Sequence, residues 1–251
     1  MRVRRSIVEL LLRKLLCLYF SLVLLGCAVA NQQAVKPGAP SASATPSVPA
    51  ESVQQQPSGR IDRPTSEPYT GTLSIFEDPK REEKLQVTRV MDVLGIKEGS
   101  HVADIGAGSG WFSVRAAKRV GTLGIIYAVD INNEYLKYID KRSKQENLAN
   151  IRTILGKEDD PLLPQNAVDA VLLLKTYHEL GEPIRLLRHT REAMRLGALL
   201  GIIDRNGKGD DHGIDRDVVV KEAARAGFRL VEQHDFVKAD EVDYFLVFRA
   251  R

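Results

Sequence analysis

Two short stretches of this chain have residue types and spacings suited to chemistry. The first is Val102-Ala103-Asp104-Ile105-Gly106-Ala107-Gly108-Ser109-Gly110, where three alternating glycines follow an acidic residue. Glycines at this spacing let the backbone pass close beneath a ligand, and the helix that follows offers its N-terminal N–H groups. A dinucleotide-binding loop would read G-x-G-x-x-G/A and would require glycine or alanine at position 111. That position is Trp111. Asp130 stands 20 residues after Gly110 at the end of the next apolar run, where a carboxylate can accept both hydroxyls of a ribose. The second stretch is Lys175-Thr176-Tyr177-His178-Glu179, directly after another apolar run. A histidine there can take a proton from a hydroxyl or an amine, since its unperturbed pKa lies near neutrality. His178 and Tyr177 are therefore the candidate catalytic residues, although both also suit lining or capping a pocket. Asp204 and His212 can form the opposite wall. Asp210-Asp211-His212 reads as a solvated acidic loop, and no metal site is expected. Trp111 suits either sealing the site or packing on a sheet.

The elements that must position these residues alternate between strand-like and helix-like periodicity. Asp78-Pro79 reads as an N-cap with proline at the first helical position, and Val87, Met91 and Leu94 recur on one helical face before Gly95. A strand over residues 101–105, a helix with Phe112, Ala116 and Val120 four apart, and a strand over residues 125–129 make a βαβ unit. Asn133 can cap a helix to about residue 144, and residues 151–155 form a third strand. Residues 167–174 are almost continuously apolar, as expected of a central parallel strand buried on both faces. Glu182-Pro183 opens another helix, residues 199–203 form a fifth strand, and residues 215–226 form a helix that can stop at Gly227. Residues 228–236 and 243–248 are joined by a short polar connection, which requires a hairpin and sets the last strand antiparallel.

The N-terminus reads differently. Arg2, Arg4, Arg5, Arg13 and Lys14 precede an apolar run over residues 15–26, the order of a secretory signal, and that run is shorter than the ~20 residues of a spanning helix. Leu24-Leu25-Gly26-Cys27 resembles a bacterial lipobox, which implies a signal peptide over residues 1–26 and a mature chain anchored in a membrane through lipid on Cys27, the alternative for so long a charged segment being an uncleaved N-terminal membrane anchor. The expected location is the periplasmic side of the envelope, with Ala28 favouring the outer membrane. Cys17 and Cys27 are the two cysteines, so the mature domain excludes thiol catalysis and cysteine metal sites. Removing residues 1–26 takes five of 36 cations and one of 33 anions, and the formal charge moves from +3 to −1. The basic pI is thus partly a property of the signal, and no nucleic-acid partner is expected. Residues 27–68 are rich in Pro, Ala, Ser and Gln and read as a flexible tether, with a reach of roughly 35 Å for about 40 residues. Residues 69–251 have the length of one domain.

The G-x-G-x-G spacing, with Asp104 two residues before the first glycine, resembles motif I of the class I S-adenosylmethionine-dependent methyltransferases. The Asp130 position and the terminal hairpin agree with it. The resemblance covers about residues 95–251. It implies a doubly wound α/β fold with a seven-stranded sheet, mostly parallel with an antiparallel C-terminal hairpin strand, and S-adenosyl-L-methionine at the carboxyl ends of the strands. Gly106, Gly108 and Gly110 would lie against its methionine part, Asp130 would hold the ribose and Ile131 would pack on adenine. Asp104 would orient the glycine loop or meet the cofactor's amino group. Glu158 or Asp159 would supply an acidic group near the adenine amine, although the family's Gly-Asp pair is here Gly156-Lys157-Glu158-Asp159. The implied activity is methyl transfer to a small-molecule acceptor. The alternative is a non-catalytic, envelope-anchored binding domain, because the cofactor is made in the cytosol. Loss of the Asp130 carboxylate is expected to weaken cofactor binding while leaving folding nearly unaffected.

Overall fold

The computed structural model describes residues 65–66, 69–207, 212–237 and 242–251. The signal segment, Cys27, nearly all of the tether, Asp210 and Asp211 lie outside the described residues. No described helix is long and apolar enough to cross a membrane.

A 3₁₀ turn (Leu73–Glu77) leads into two short helices, α1 (Arg81–Leu85) and α2 (Val87–Val93). The first helix starts later than Asp78-Pro79 suggests: its N-cap is Lys80, without a side-chain cap, and the Asp78 carboxylate accepts the Lys80 N–H at 2.9 Å in the turn before it. The single helix expected here is instead broken at Gln86, whose φ is +48°. The Gln86 side chain donates to the Phe236 carbonyl at 2.9 Å, a tie to the far end of the chain that the local pattern cannot show.

The chain then winds β1 (His101–Ile105), α3 (Trp111–Val120), β2 (Ile125–Asp130), α4 (Asn133–Gln145), β3 (Ile151–Leu155), β4 (Val168–Leu174), α5 (Pro183–Ala193), β5 (Met194–Arg205), α6 (Arg216–Arg225), β6 (Phe228–His234) and β7 (Asp243–Ala250). The cap of α4 is Asn132, one residue before the position expected, with its side chain accepting the Glu134 N–H at 2.9 Å. Asp215 caps α6 in the same way through the Asp217 N–H at 2.7 Å. β5 begins earlier than its apolar run. Leu196 is fully exposed and Gly197 has φ +85°, and the pairing with β4 slips in this stretch.

The sheet has seven strands in the order β3-β2-β1-β4-β5-β7-β6. The first five pair in parallel, and β7 runs antiparallel to both β5 and β6. One face packs against α5 and α6 through residues such as Val171, Leu173, Ile184, Val219 and Phe228. The other packs against α1, α2 and α3 through Leu85, Met91, Phe112, Ala116 and Val120. β4 is buried along nearly its whole length, as its apolar run requires. The strand order reverses between β1 and β4, so the loops after these two strands part there and leave a crevice at their carboxyl ends.

Candidate active site

The loop after β1 is fastened to the end of β2. Gly106 and Ala107 donate their N–H groups to the Val129 carbonyl at 2.9 and 3.0 Å, and Gly108 donates to Asp130 Oδ2 at 2.9 Å. Asp130 Oδ1 accepts the Asn132 N–H at 2.9 Å. A carboxylate has about four lone-pair positions and the backbone donors here do not fill them all, so Asp130 is both the loop's anchor and a remaining acceptor for a hydroxyl. Burial pushes its carboxyl upward against the pull of these backbone donors.

Two glycines differ in what surrounds them. A Cβ on Gly106, where φ is +74°, would lie 2.2 Å from Thr176 Cγ2. A Cβ on Gly108 would meet nothing within 4 Å, which leaves the backbone open to a ligand. Ile131 is 52% exposed beside Asp130, an apolar surface at the place expected to pack on adenine.

Asp104 is buried beneath this loop and accepts the Ser113 hydroxyl at 2.6 Å. Burial pushes its carboxyl up to about 6, with Ser113 and the Arg81 guanidinium pulling the other way. A carboxyl that keeps its proton longer when folded than when unfolded loses stability as pH rises through that interval. The chain should therefore lose on the order of 3 kcal/mol through Asp104 between pH 4 and pH 7. Urea titrations across this range should fall more steeply for the wild type than for Asp104→Asn. Parallel curves would show that Asp104 is not the group responsible.

The N-terminal segment clamps the loop from outside. Glu77 accepts the Ser109 hydroxyl at 2.7 Å and pairs with Arg142 at 2.5 Å, while Arg142 also donates to the Ser109 carbonyl at 3.2 Å. Sequence reasoning missed Glu77, whose nearest signal was the adjacent Asp78-Pro79 start. Trp111 is buried, with the Arg115 and Arg81 guanidinium carbons 3.9 and 4.7 Å from its ring centroid. It belongs to the hydrophobic cluster that α1, α2 and α3 build on this face of the sheet. A cleft of about 420 Å³ opens between residues 69–73 and α4, lined in part by Tyr69, Leu73, Asn132, Tyr135 and Tyr138.

In the loop after β3, Gly156 donates to the Asp130 carbonyl at 3.0 Å. The two acidic candidates separate here. Asp159 pairs with Arg185 of α5 at 2.6 Å, and Glu158 stands exposed.

The loop after β4 meets the glycine loop directly. Thr176 Oγ1 lies 3.3 Å from the Gly106 carbonyl, and Lys175 pairs with buried Asp243 at the start of β7. Tyr177 does not face the site, which corrects its expected catalytic role. Its ring is fully buried in the core on the α5 and α6 side, and its hydroxyl donates to Glu222 of α6 at 2.9 Å. His178 is held from β5 instead. Its Nδ1 is 2.8 Å from Asp204 Oδ1 and its backbone N–H donates to Asp204 Oδ2 at 3.0 Å. Burial lowers the imidazole pKa, but Asp204 and Glu179 outweigh it and the net shift is upward. In the neutral ring the proton sits on Nδ1, since a carboxylate only accepts, and Nε2 presents its lone pair. Glu179 approaches both His178 and His212, and Ser66 donates its N–H to Glu179 Oε2 at 2.5 Å. A domain boundary drawn at Tyr69 would cut this last contact.

Residues 102–197 match a family model described as a methyltransferase domain. Over these residues the chain is similar to a methyltransferase domain. A probable cobalt-precorrin-6B C(15)-methyltransferase (decarboxylating) of Methanosarcina mazei is 30% identical over 99 residues, covering 39% of this chain and 52% of that protein. A demethylmenaquinone methyltransferase of Listeria welshimeri is 24% identical over 114 residues, 45% of this chain and 48% of that one. The chain spans about half the length of these curated relatives. The crystal structure of a SAM-dependent methyltransferase from Aquifex aeolicus superposes with a TM-score of 0.64 at 26% identity, covering 70% of this chain and 95% of that chain. These likenesses imply S-adenosyl-L-methionine as the cofactor of the methyltransferase domain. The open backbone at Gly108, the remaining lone pairs of Asp130 and the exposed face of Ile131 fit it.

Proposed function

We propose that the domain binds S-adenosyl-L-methionine along residues 104–110 and Asp130, and transfers its methyl group to an oxygen or nitrogen of a small-molecule acceptor between the loops after β4 and β5. The observation that carries this reading is the approach of Thr176 to Gly106, which puts His178 two residues along the chain from the contact with the glycine loop. When bound, the cofactor supplies a methyl group on a positively charged sulfur, and a lone pair held in line with that bond can take it. Asp204 fixes the His178 ring, and Nε2 is the polar atom offered to the acceptor. The names of the two curated relatives give small molecules, a cobalt-precorrin and demethylmenaquinone, as substrates.

Calorimetry should detect S-adenosylmethionine binding to the chain, with S-adenosylhomocysteine raising the melting temperature more than NAD does. Incubation with a small-molecule extract should release S-adenosylhomocysteine. His178→Ala should slow that release by about 10²-fold with cofactor affinity changed less than twofold. Stronger stabilisation by NAD would overturn the cofactor reading. Cofactor binding without turnover in any extract would favour the non-catalytic, envelope-anchored alternative.

The same reading extends to location, with lipid on Cys27 holding the domain at the periplasmic side of a bacterial envelope. Each buried methylene of an acyl chain contributes ~0.8 kcal/mol to anchoring. Metabolic labelling with a fatty-acid analogue should mark the wild type in the membrane fraction, and Cys27→Ala should abolish the mark. Both forms unlabelled and in the cytosol would overturn export and remove the question of donor supply with it.

A further inference from the structure

Beside the acceptor side of the site, side chains from two separate loops bring metal-binding atoms together. His178 Nε2 lies 3.3 Å from Glu179 Oε1, and His212 Nδ1 lies 3.6 Å from the same oxygen. One ligand atom from each of the three falls within 4.8 Å of the others. Two ligands each about 2.1 Å from a tetrahedral ion stand about 3.4 Å apart, so the two shorter edges already have the spacing that one ion requires. His212 is the exposed member of the set, and its Nδ1 also lies 3.5 Å from Ser66 Oγ. His178 is already oriented, because Asp204 holds Nδ1 at 2.8 Å and leaves Nε2 as the ligand atom. A carboxylate behind a histidine in this way is the usual support of a metal-binding imidazole. Glu179 is steadied in turn by the Ser66 N–H on Oε2, which leaves Oε1 toward the histidines.

We propose that His178, Glu179 and His212 bind one divalent transition-metal ion of the zinc type, and that its open position takes the hydroxyl oxygen of the acceptor, so that His178 Nε2 acts on the acceptor through the ion and not by direct contact. Two imidazoles and one carboxylate suit zinc and its late first-row neighbours better than calcium or magnesium, which prefer all-oxygen sites. Three protein ligands leave the fourth position open, the pattern of catalytic zinc sites. A hydroxyl bound there has a lowered pKa and gives its proton to solvent water. The oxygen–carbon bond then forms as the carbon–sulfur bond of the donor breaks, and neutral S-adenosylhomocysteine leaves. The role given to the ion rests on the methyl-transfer reading, whereas its binding does not. The site was hidden in the sequence because His178 and His212 are 34 residues apart and meet only through the pairing of β4 with β5.

The test uses the full chain made without a polyhistidine tag, stripped with a chelator and titrated with zinc chloride by calorimetry, with metal content measured after gel filtration. One zinc per chain is expected. Glu179→Gln and His212→Ala should each weaken binding at least tenfold with unchanged circular dichroism, and His234→Ala on the outer strand should bind as the wild type does. Wild-type uptake no greater than that of the Glu179→Gln, His212→Ala double variant would overturn the proposal. Zinc is titrated without cofactor, and cofactor is titrated into the zinc-free chain. Zinc uptake without cofactor binding would therefore remove the methyl-transfer reading and leave the metal site standing. Cofactor binding without zinc uptake would do the reverse.

Discussion

Gly106→Ala is expected to destabilise the domain by about 2–5 kcal/mol. The backbone at Gly106 has φ +74°, a conformation that costs a residue with a Cβ about 1–2 kcal/mol. The new methyl would also stand 2.2 Å from Thr176 Cγ2 and 2.8 Å from Thr176 Cβ, an overpacking cost of about 1–3 kcal/mol because Thr176 is a short, β-branched side chain with little freedom to retreat. The two contributions are separable. In urea denaturation, Thr176→Gly should recover the packing share of the Gly106→Ala loss and leave the backbone share, giving a coupling of at least about 1 kcal/mol in the double-mutant cycle. Strict additivity would mean that the methyl finds room elsewhere and that the two loops are not in contact.

Asp130→Ala should weaken S-adenosylmethionine binding by about 2 kcal/mol or more, because the ribose hydroxyls lose a charged acceptor. The structure adds a second cost that residue type alone does not reveal. Asp130 also takes the N–H groups of Gly108 and Asn132, so its removal should lower stability by on the order of 1–3 kcal/mol, where the sequence reading expected almost none. Asp130→Asn keeps one side-chain oxygen and should recover part of the stability while affinity stays low. Calorimetry and urea titration of both variants check the two effects independently. Wild-type affinity in Asp130→Ala would mean that the ribose partner lies elsewhere.

What could be read without coordinates follows from how local each signal is. β1 occupies the residues expected of it, because an apolar run that is bounded by polar and glycine positions is a complete strand signal within a few residues. The glycine loop and Asp130 were equally legible, since their spacing within one βαβ unit is itself the signal. The break at Gln86 was not legible, because nothing in the local pattern marks it and the partner of its side chain, the Phe236 carbonyl, lies 150 residues away. Tyr177 and His178 were read as a pair, yet they sit in a turn of three residues, too short for any periodicity to tell which side chain turns inward. Only the packing of α6 decides it, by offering Glu222 to the Tyr177 hydroxyl. Glu77, and the part that Glu179 plays within its stretch, were hidden for a related reason. Each is an ordinary acidic residue until folding sets Arg142, or His178 and His212, against it.

The burial of Trp111 has a practical side. It is the chain's single tryptophan, so its indole emission comes from one place, the first turn of α3 immediately after the glycine loop. Two guanidinium groups stand over the ring, and one of them belongs to α1, in the segment that clamps that loop. The wavelength and intensity of that emission therefore report on the surroundings of this one turn, with no label to attach and no second fluorophore of its kind to subtract.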